Sequence, residues 1–374
     1  MKKVMINVGT ILANIIYMFI KVFPINKNKI TFLSRQSNEI PLDFKLLKEE
    51  LILQNKEVKI IMLCKRLEKG VKSGIRYSFH MLRQMYHIAT SRVVILDSYC
   101  IPISILKHKR KLKVIQCWHA LGSLKKFGYS TLGMRGGRSK EIADAMKMHK
   151  NYSYILTSSN ISKPFFKEAF NAEEKQMKVM SLPRVDFLQS QEQKEKIEKE
   201  FYKVYPQCKN GKENILYCPT HRESGKVNIN SVIKCTDFNA YNLIIKLHGG
   251  QEYVYTKGKK VKDKVMFKGI ELLHIADYVI TDYSAIVYEA AIADKPLYFY
   301  IYDYDTYMDE RGWYINYKEE MPGTIEKDIK EIMKAIKLKK YDEQKIKDFK
   351  QKYIKDLTKN STKKLAQFIL NEMK

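Results

Sequence analysis

The sequence has no closely spaced cysteines: its six, at 64, 100, 117, 208, 218 and 235, form no CxxC pair. That excludes a zinc ribbon or a disulfide framework and suits a reducing compartment. A GxxxxGK[ST] phosphate loop is missing, which disfavours a nucleoside triphosphatase. There is no GxSxG elbow, which weakens a hydrolase reading. No solenoid repeat or low-complexity tract interrupts the chain. Asp282 stands as a lone carboxylate without partners at metal-ligand spacing, so neither a metal nor a bound cofactor is expected. Acidic residues are in deficit, 41 against 68 basic ones, leaving a formal charge of +27. Such a surplus attracts nucleic acid, anionic lipid or a phosphorylated substrate, on top of any lysine-rich background composition.

What is present fits a folded protein. Hydrophobic residues make up 45% of 374 positions, ordinary for a globular chain and long enough for two domains. The first 23 residues, "MKKVMINVGTILANIIYMFIKVF", carry no charge between Val4 and Ile20. This segment is near the roughly 20 residues of a spanning helix. Asn7, Gly9, Thr10 and Asn14 dilute it, however, and no cleavage site follows. It reads as a helix lying in the membrane interface with its lysines at headgroups. A buried first helix and a spanning anchor are the alternatives.

From residue 29 short β-rich runs alternate with helical patterns. Lys29–Ser34, Glu57–Leu63, Arg92–Asp97, Lys113–Trp118, Tyr154–Ser158 and Met177–Leu182 read as strands. Leu42–Gln54 and Tyr77–Thr90 read as helices between them. After a charged helix and linker, Asn214–Pro219, Asn242–Leu247, Lys264–Gly269, Tyr278–Asp282 and Pro296–Tyr302 repeat the pattern, and the chain turns helical beyond Gly323. The runs are continuously apolar, so the strands should be covered on both faces and parallel. An α/β fold of two halves with a cleft between them is expected, its ligands at the carboxyl ends of strands.

Four clusters stand at such ends. His119, with Lys125 and Lys126, follows the fourth strand in "VIQCWHALGSLKKFGYS". Thr220, His221, Arg222 and Lys226 lie in "CPTHRESGK", and Lys246 and His248 in "KLHGG". Thr281, Asp282 and Ser284 precede an apolar helix, which Asp282 or Ser284 could cap. One such cluster is most simply structural. Three histidines after separate strands beside basic residues suggest phosphate handled without a metal and a base near neutral pKa.

In this order the motifs resemble the CDP-glycerol glycerophosphotransferase family of teichoic acid synthesis. They stand here as "CWHALGSLKKFG", "CPTHRESGK", "IKLHGG", "ITDYSAIVYEAAIADKPLYFYIYDYDTY" and "RGWY", and the likeness runs from about Lys29 to Tyr314. The resemblance implies a GT-B-type fold of two Rossmann-like domains facing a central cleft. The expected division is a membrane-associating helix at 1–28, an acceptor domain at 29–190 and a CDP-polyol donor domain at 191–374 that includes the C-terminal helices. It also implies transfer of a polyol phosphate, glycerol phosphate before ribitol phosphate, from CDP-glycerol or CDP-ribitol. The acceptor is a hydroxyl of a polyprenyl-diphosphate-linked saccharide, and CMP is released. His119 would be the catalytic base and His248 the second catalytic residue, at the donor pyrophosphate. Thr220, Arg222, Lys246, Thr281, Asp282, Ser284, Lys125 and Lys126 would bind substrate. Expected partners are these substrates and anionic membrane lipid but no nucleic acid, with the protein peripheral on the cytoplasmic face of the membrane.

Two departures from the family pattern bear on acceptor or polyol preference. Ala120–Leu121 replaces the usual glycine–threonine after the histidine, and Gly249 replaces the proline of the lysine–x–histidine motif. In addition, His221 replaces an aromatic residue. The short length resembles the family's primases, with short capsule or ribitol-phosphate enzymes as the alternatives. The rival readings are a nucleotide-sugar glycosyltransferase on the same scaffold and a non-enzymatic protein that binds nucleic acid or anionic membrane.

Overall fold

The computed structural model describes residues 2–68, 70–134, 137–222, 227–247, 252–261, 267–310, 312–355, 357, 358 and 360–374. The chain forms two compact units. The first comprises Met1–Leu121, Lys126–Arg184 and Lys355–Lys374; the second comprises Gly122–Lys125 and Val185–Ile354.

The first unit is built on six strands: β1 (Asn26–Ser34), β2 (Lys59–Cys64), β3 (Ser91–Leu96), β4 (Lys113–Gln116), β5 (Tyr154–Thr157) and β6 (Met177–Val179). They form an all-parallel sheet in the order β2-β1-β3-β4-β5-β6. Central β3 explains the layering: Val93, Val94, Ile95 and Leu96 are all fully buried, so helices must cover both faces. Each such side chain contributes roughly 1.5–3 kcal/mol of burial. The chain first steps from β1 outward to β2 and then crosses back to β3. The switch point therefore falls between β1 and β3, where the strand ends splay and leave room for a ligand.

The second unit holds β7 (Glu213–Cys218), β8 (Tyr241–Lys246), β9 (Glu252–Thr256), β10 (Lys259–Val261), β11 (Tyr278–Thr281), β12 (Leu297–Tyr300) and β13 (Thr324–Glu326). Their order is β10-β9-β8-β7-β11-β12-β13, with the switch point between β7 and β11. Two features differ from expectation. The parallel sheet carries an antiparallel edge, β8-β9-β10, whose hairpin turns at Lys257–Gly258. This hairpin was hidden because its strands alternate or are charged instead of continuously apolar. A short strand, β13, also precedes the C-terminal helices. Of the expected strand at 264–269, residues 264–266 lie outside the described residues, and the rest is no strand: 267 and 268 are irregular and Gly269 opens the helix Gly269–Ile275.

The C-terminal helix corrects the expected domain boundary at 191–374. Ser361–Glu372 buries Leu365, Ala366 and Ile369, and it belongs to the first unit. Tyr154 donates its hydroxyl to Glu372 Oε1 at 2.9 Å, Arg92 Nε donates to the Met373 carbonyl at 3.0 Å, and Gln54 Nε2 donates to the Lys363 carbonyl at 3.1 Å. These bonds tie the last helix to β3, to β5 and to the helix Leu42–Gln54, a pairing that sequence distance conceals.

The first helix, Lys2–Ile20, also belongs to the first unit and is not a detached segment. Ala13, Tyr17 and Ile20 share one face, and it packs on the core; the Tyr17 hydroxyl and His108 Nδ1 hydrogen-bond at 2.9 Å. Asn14 donates to the Ile105 carbonyl and accepts from the Lys107 amide. The opposite face leaves Val4, Met5, Val8, Ile11, Leu12, Ile15 and Phe19 exposed. The helix is long and apolar enough to cross a membrane, yet one side of it is specifically docked.

Candidate active site

In the first unit the loops after β1, β3 and β4 meet at the switch point. Ser34 Oγ donates to Asp97 Oδ2 at 2.7 Å, Ser98 Oγ donates to Asp97 Oδ1 at 2.8 Å, and the Arg35 amide donates to Ser98 Oγ. Burial pushes the Asp97 carboxyl up to about 6 against the pull of those two hydroxyls. This hydrogen-bonded floor supports His119. Its Nδ1 lies 3.0 Å from the Asp97 carbonyl oxygen and 3.1 Å from the Gln36 side-chain nitrogen. A carbonyl can only accept, so the bond to Asp97 puts the proton on Nδ1 and the lone pair on Nε2; the Gln36 amide nitrogen can only donate, so with this tautomer the Gln36 amide is turned to offer Nδ1–H its oxygen.

The bend at Trp118 aims the ring. Trp118 has φ +60°, a left-handed conformation that costs a bulky residue about 1–3 kcal/mol. The cost is offset locally. Gln116 Oε1 accepts the Trp118 amide at 2.9 Å, and the indole stacks on Phe127 with centroids 4.8 Å apart. His119 itself reaches solvent. Protein around it nevertheless desolvates the imidazole and lowers its pKa to about 4, the Asp97 carbonyl opposing and the Arg184 charge assisting. Because the ring edge is open to water, the direction is what matters: the imidazole is neutral at pH 7. Arg184 is itself held by Asp43, with Nε to Oδ2 at 2.9 Å.

In the second unit the loops after β7, β11 and β12 form a denser network. Asp282 is fully buried, and its Oδ1 accepts from the Thr220 amide and hydroxyl and from the Tyr283 amide at 2.6–2.8 Å. Arg222 NH2 donates to Asp282 Oδ2 at 2.8 Å and Arg222 Nε to Asp303 Oδ2 at 2.6 Å. Burial opposes the guanidinium charge, and Asp303 and Asp282 overcome it. The guanidinium also sits against the faces of Tyr307 and Tyr283, at 4.7 and 5.1 Å, two rings stacked 4.0 Å apart. Tyr317 donates to the Asp282 carbonyl at 2.7 Å.

The expected residues thus divide. Arg222, Asp282, Thr220 and Thr281 are brought together, but as an interlocked framework; Thr281 Oγ1 is spent on the Cys218 carbonyl. Lys246 ends β8 and pairs with buried Glu252 at 3.4 Å. Lys125 belongs to the second unit, where its ammonium donates to the Tyr307 hydroxyl at 3.0 Å, whereas half-buried Lys126 belongs to the first. The expected cluster of His119 with both lysines is therefore divided between units. Neither Asp282 nor Ser284 caps the helix Ile286–Ile292: its N-cap is Ala285, and Ser284 Oγ accepts the Ile286 amide in a two-residue turn. His248 and Lys226 lie outside the described residues. His221 is exposed.

Sequence reading missed Gln36, Asp97 and Asp303. All three follow strands, so the strand-end rule that found His119 could have found them; their ordinary residue types gave no other signal. It also passed over Asp303-Tyr304-Asp305, a DxD triplet. Its two carboxylates diverge, Asp303 to Arg222 and Asp305 to Lys327. Among the described residues no group of His, Cys, Asp and Glu is arranged to hold a metal ion.

Two strand-end constellations at the switch points of two α/β sheets, one offering a neutral imidazole and the other cations locked to carboxylates, suit a transferase acting on phosphate. The sequence profile of CDP-glycerol:poly(glycerophosphate) glycerophosphotransferases matches residues 15–371, and the chain belongs to that family of teichoic acid transferases. It is 30% identical over 361 residues to the teichoic acid ribitol-phosphate primase of Bacillus spizizenii strain W23, covering 92% of each chain. To the teichoic acid glycerol-phosphate primase of Bacillus subtilis strain 168 it is 30% identical over 300 residues, 78% of this chain and 77% of that one. Its fold is similar to a variant of the wall teichoic acid polymerase TagF, with a TM-score of 0.76 at 17% identity over 100% of this chain and 97% of the other.

Proposed function

We propose that this protein transfers a polyol phosphate from a CDP-polyol to a hydroxyl of a polyprenyl-diphosphate-linked saccharide, as a primase. The observation that carries the reading is the imidazole of His119, held by the Asp97 carbonyl with Nε2 unprotonated at the end of β4. Nε2 takes the acceptor hydroxyl proton as the oxygen attacks the β-phosphorus. The new phosphorus–oxygen bond forms, the bond to CMP breaks, and CMP leaves with the electron pair. Lys125, Lys126, Lys246 and Ser284 face the phosphates in this reading, with His248 at the donor pyrophosphate. The Thr220–Arg222–Thr281–Asp282 framework holds their loops in place. The two halves act as acceptor and donor domains of a GT-B-type enzyme that needs neither metal nor cofactor.

Glycerol phosphate is the first donor group to test. Ribitol phosphate is the second, favoured by the 92% mutual coverage with a ribitol-phosphate primase. The exposed apolar face of Lys2–Ile20, beside a docked face, supports a peripheral site on the cytoplasmic side of the membrane.

The test is a donor panel of CDP-glycerol, CDP-ribitol and UDP-sugars with a lipid-linked disaccharide, with and without EDTA, read by CMP release and product mass. CMP release with a product heavier by one polyol phosphate, undiminished by EDTA, is expected. UDP release alone would replace the reading with glycosyl transfer, and loss in EDTA restored by Mg²⁺ would assign part of the charge compensation to a metal.

A further inference from the structure

A second cationic site lies in the first unit, at the end of β2. A cavity of about 750 Å³ opens where β2 ends and the helix Val71–Thr90 begins. Lys65, Arg66, Lys72 and Arg76 line it, and among the described residues Glu68 is the one carboxylate that does. Four cations around a recess of this size repel one another, and an anion with several charged oxygens relieves the repulsion. The first turn of the helix adds backbone N–H groups without a side-chain cap.

Two further features say what kind of anion. The helix that starts in the cavity carries Ile75, Phe79, Leu82 and Tyr86 on one stripe, spaced by four, three and four residues and 42–70% exposed. Tyr86 meets Phe23 edge-on at 5.6 Å, which joins the stripe to the end of the exposed first helix. The apolar surface thus leads away from the cations, as a lipid tail leads away from its phosphates. A soluble nucleotide has no use for it. The second feature is position. Gln36 touches His119, and two residues later Asn38 Oδ1 accepts the Arg66 amide at 3.0 Å on the cavity rim. Two residues span at most about 7 Å, so cavity and imidazole are neighbours along one loop.

We infer that this cavity is the subsite for the diphosphate of the lipid-linked acceptor. Its isoprenyl chain lies along the stripe, and its saccharide extends toward His119. The inference rests on the proposed transfer reaction for its biological meaning and on the cavity alone for its chemistry, and the test separates the two.

Farnesyl diphosphate binding is measured by calorimetry without a donor, alongside farnesol, for the wild type and for Arg66→Gln/Arg76→Gln. Turnover is measured for both proteins with a short-chain lipid-diphosphate saccharide and with an alkyl glycoside of the same sugar. Both substituted side chains are exposed, and an unchanged melting temperature verifies folding. The wild type should bind farnesyl diphosphate over farnesol. The variant should lose about 10- to 100-fold of that binding, with a KM for the diphosphate acceptor raised at least tenfold more than for the glycoside. Equal losses on the two acceptors, or undiminished farnesyl diphosphate binding, would overturn the subsite. Selective loss of binding to phosphatidylglycerol vesicles, with farnesyl diphosphate binding intact, would also overturn it by making the cavity a headgroup contact. Diphosphate binding that depends on Arg66 and Arg76 in a protein that turns over no CDP-polyol would keep the subsite and overturn the proposed reaction.

Discussion

The ring of His119 is oriented by a backbone atom: its Nδ1 lies 3.0 Å from the carbonyl oxygen of Asp97, at the end of the neighbouring strand. A backbone acceptor does not titrate, so the tautomer with Nε2 unprotonated persists across the working pH range. Replacement of His119 by alanine should lower kcat by about 10²–10⁴-fold while CDP-polyol affinity, measured by calorimetry, stays within a fewfold. The base form exists above the pKa, and that pKa is lowered to about 4. Activity should therefore hold its plateau as pH falls through 6.5. An acidic limb centred near 6.5 would place the ring in an environment like water.

Asp97 carries a different pH signature. Burial raises its folded pKa to about 6 from the ordinary 3.8 of an aspartate, so the folded state binds the extra proton between those values. By linkage, the carboxyl destabilises the fold progressively as pH rises through this window, with the full cost present above 6. Asp97→Asn should flatten that component and raise the melting temperature more at pH 7 than at pH 4. An equal shift at both pH values would exclude the ionisation as the cause.

Arg222 serves two carboxylates, buried Asp282 and half-buried Asp303. Arg222→Ala strands both and should cost about 3–5 kcal/mol of stability, measured by urea unfolding, together with activity. Arg222→Lys keeps the charge without the fork and should fall between the alanine variant and the wild type. A lysine variant as unstable as alanine would mean that the forked geometry, and not the charge, carries the framework.

Gly122 is a glycine for steric reasons. A Cβ there would come within 2.6–3.0 Å of the ring atoms of Tyr288, which is buried and stacked on Phe349. Gly122→Ala should cost about 1–3 kcal/mol by overpacking, visible as a lower urea midpoint. Tyr288→Leu in the same chain should recover part of the loss, whereas full additivity would deny the contact.

The first helix should respond by face. Ile15→Asp/Phe19→Asp, on the exposed side, should move the protein from membrane to soluble fractions without lowering its melting temperature. Tyr17→Ala, on the docked side, should lower the melting temperature by removing a buried ring and its His108 partner. Stability loss from both substitutions would make the segment a purely structural helix.

The α/β class was legible from sequence alone, because strands covered on both faces must be continuously apolar, as "RVVIL" before Asp97 shows. That His119, Arg222 and Asp282 stand at strand ends was legible for a related reason: the loops that follow such strands are the ones a parallel sheet gathers. The family, too, followed from motif order. What sequence could not determine was partnership. Asp303 lies 81 residues from Arg222, and Asp97 lies 22 from His119. Only the strand order β8-β7-β11-β12 and the β1–β3–β4 neighbourhood bring those loops together. The last helix joins the first unit for the same reason, since apolar faces bury against whichever surface is uncovered. The division of Lys125 from Lys126, and the conversion of Asp282 from an expected ligand group into a buried keystone, were likewise decided by packing. Residue type and spacing announce which chemistry a chain carries, but burial and hydrogen-bond saturation decide which of those groups still face a substrate.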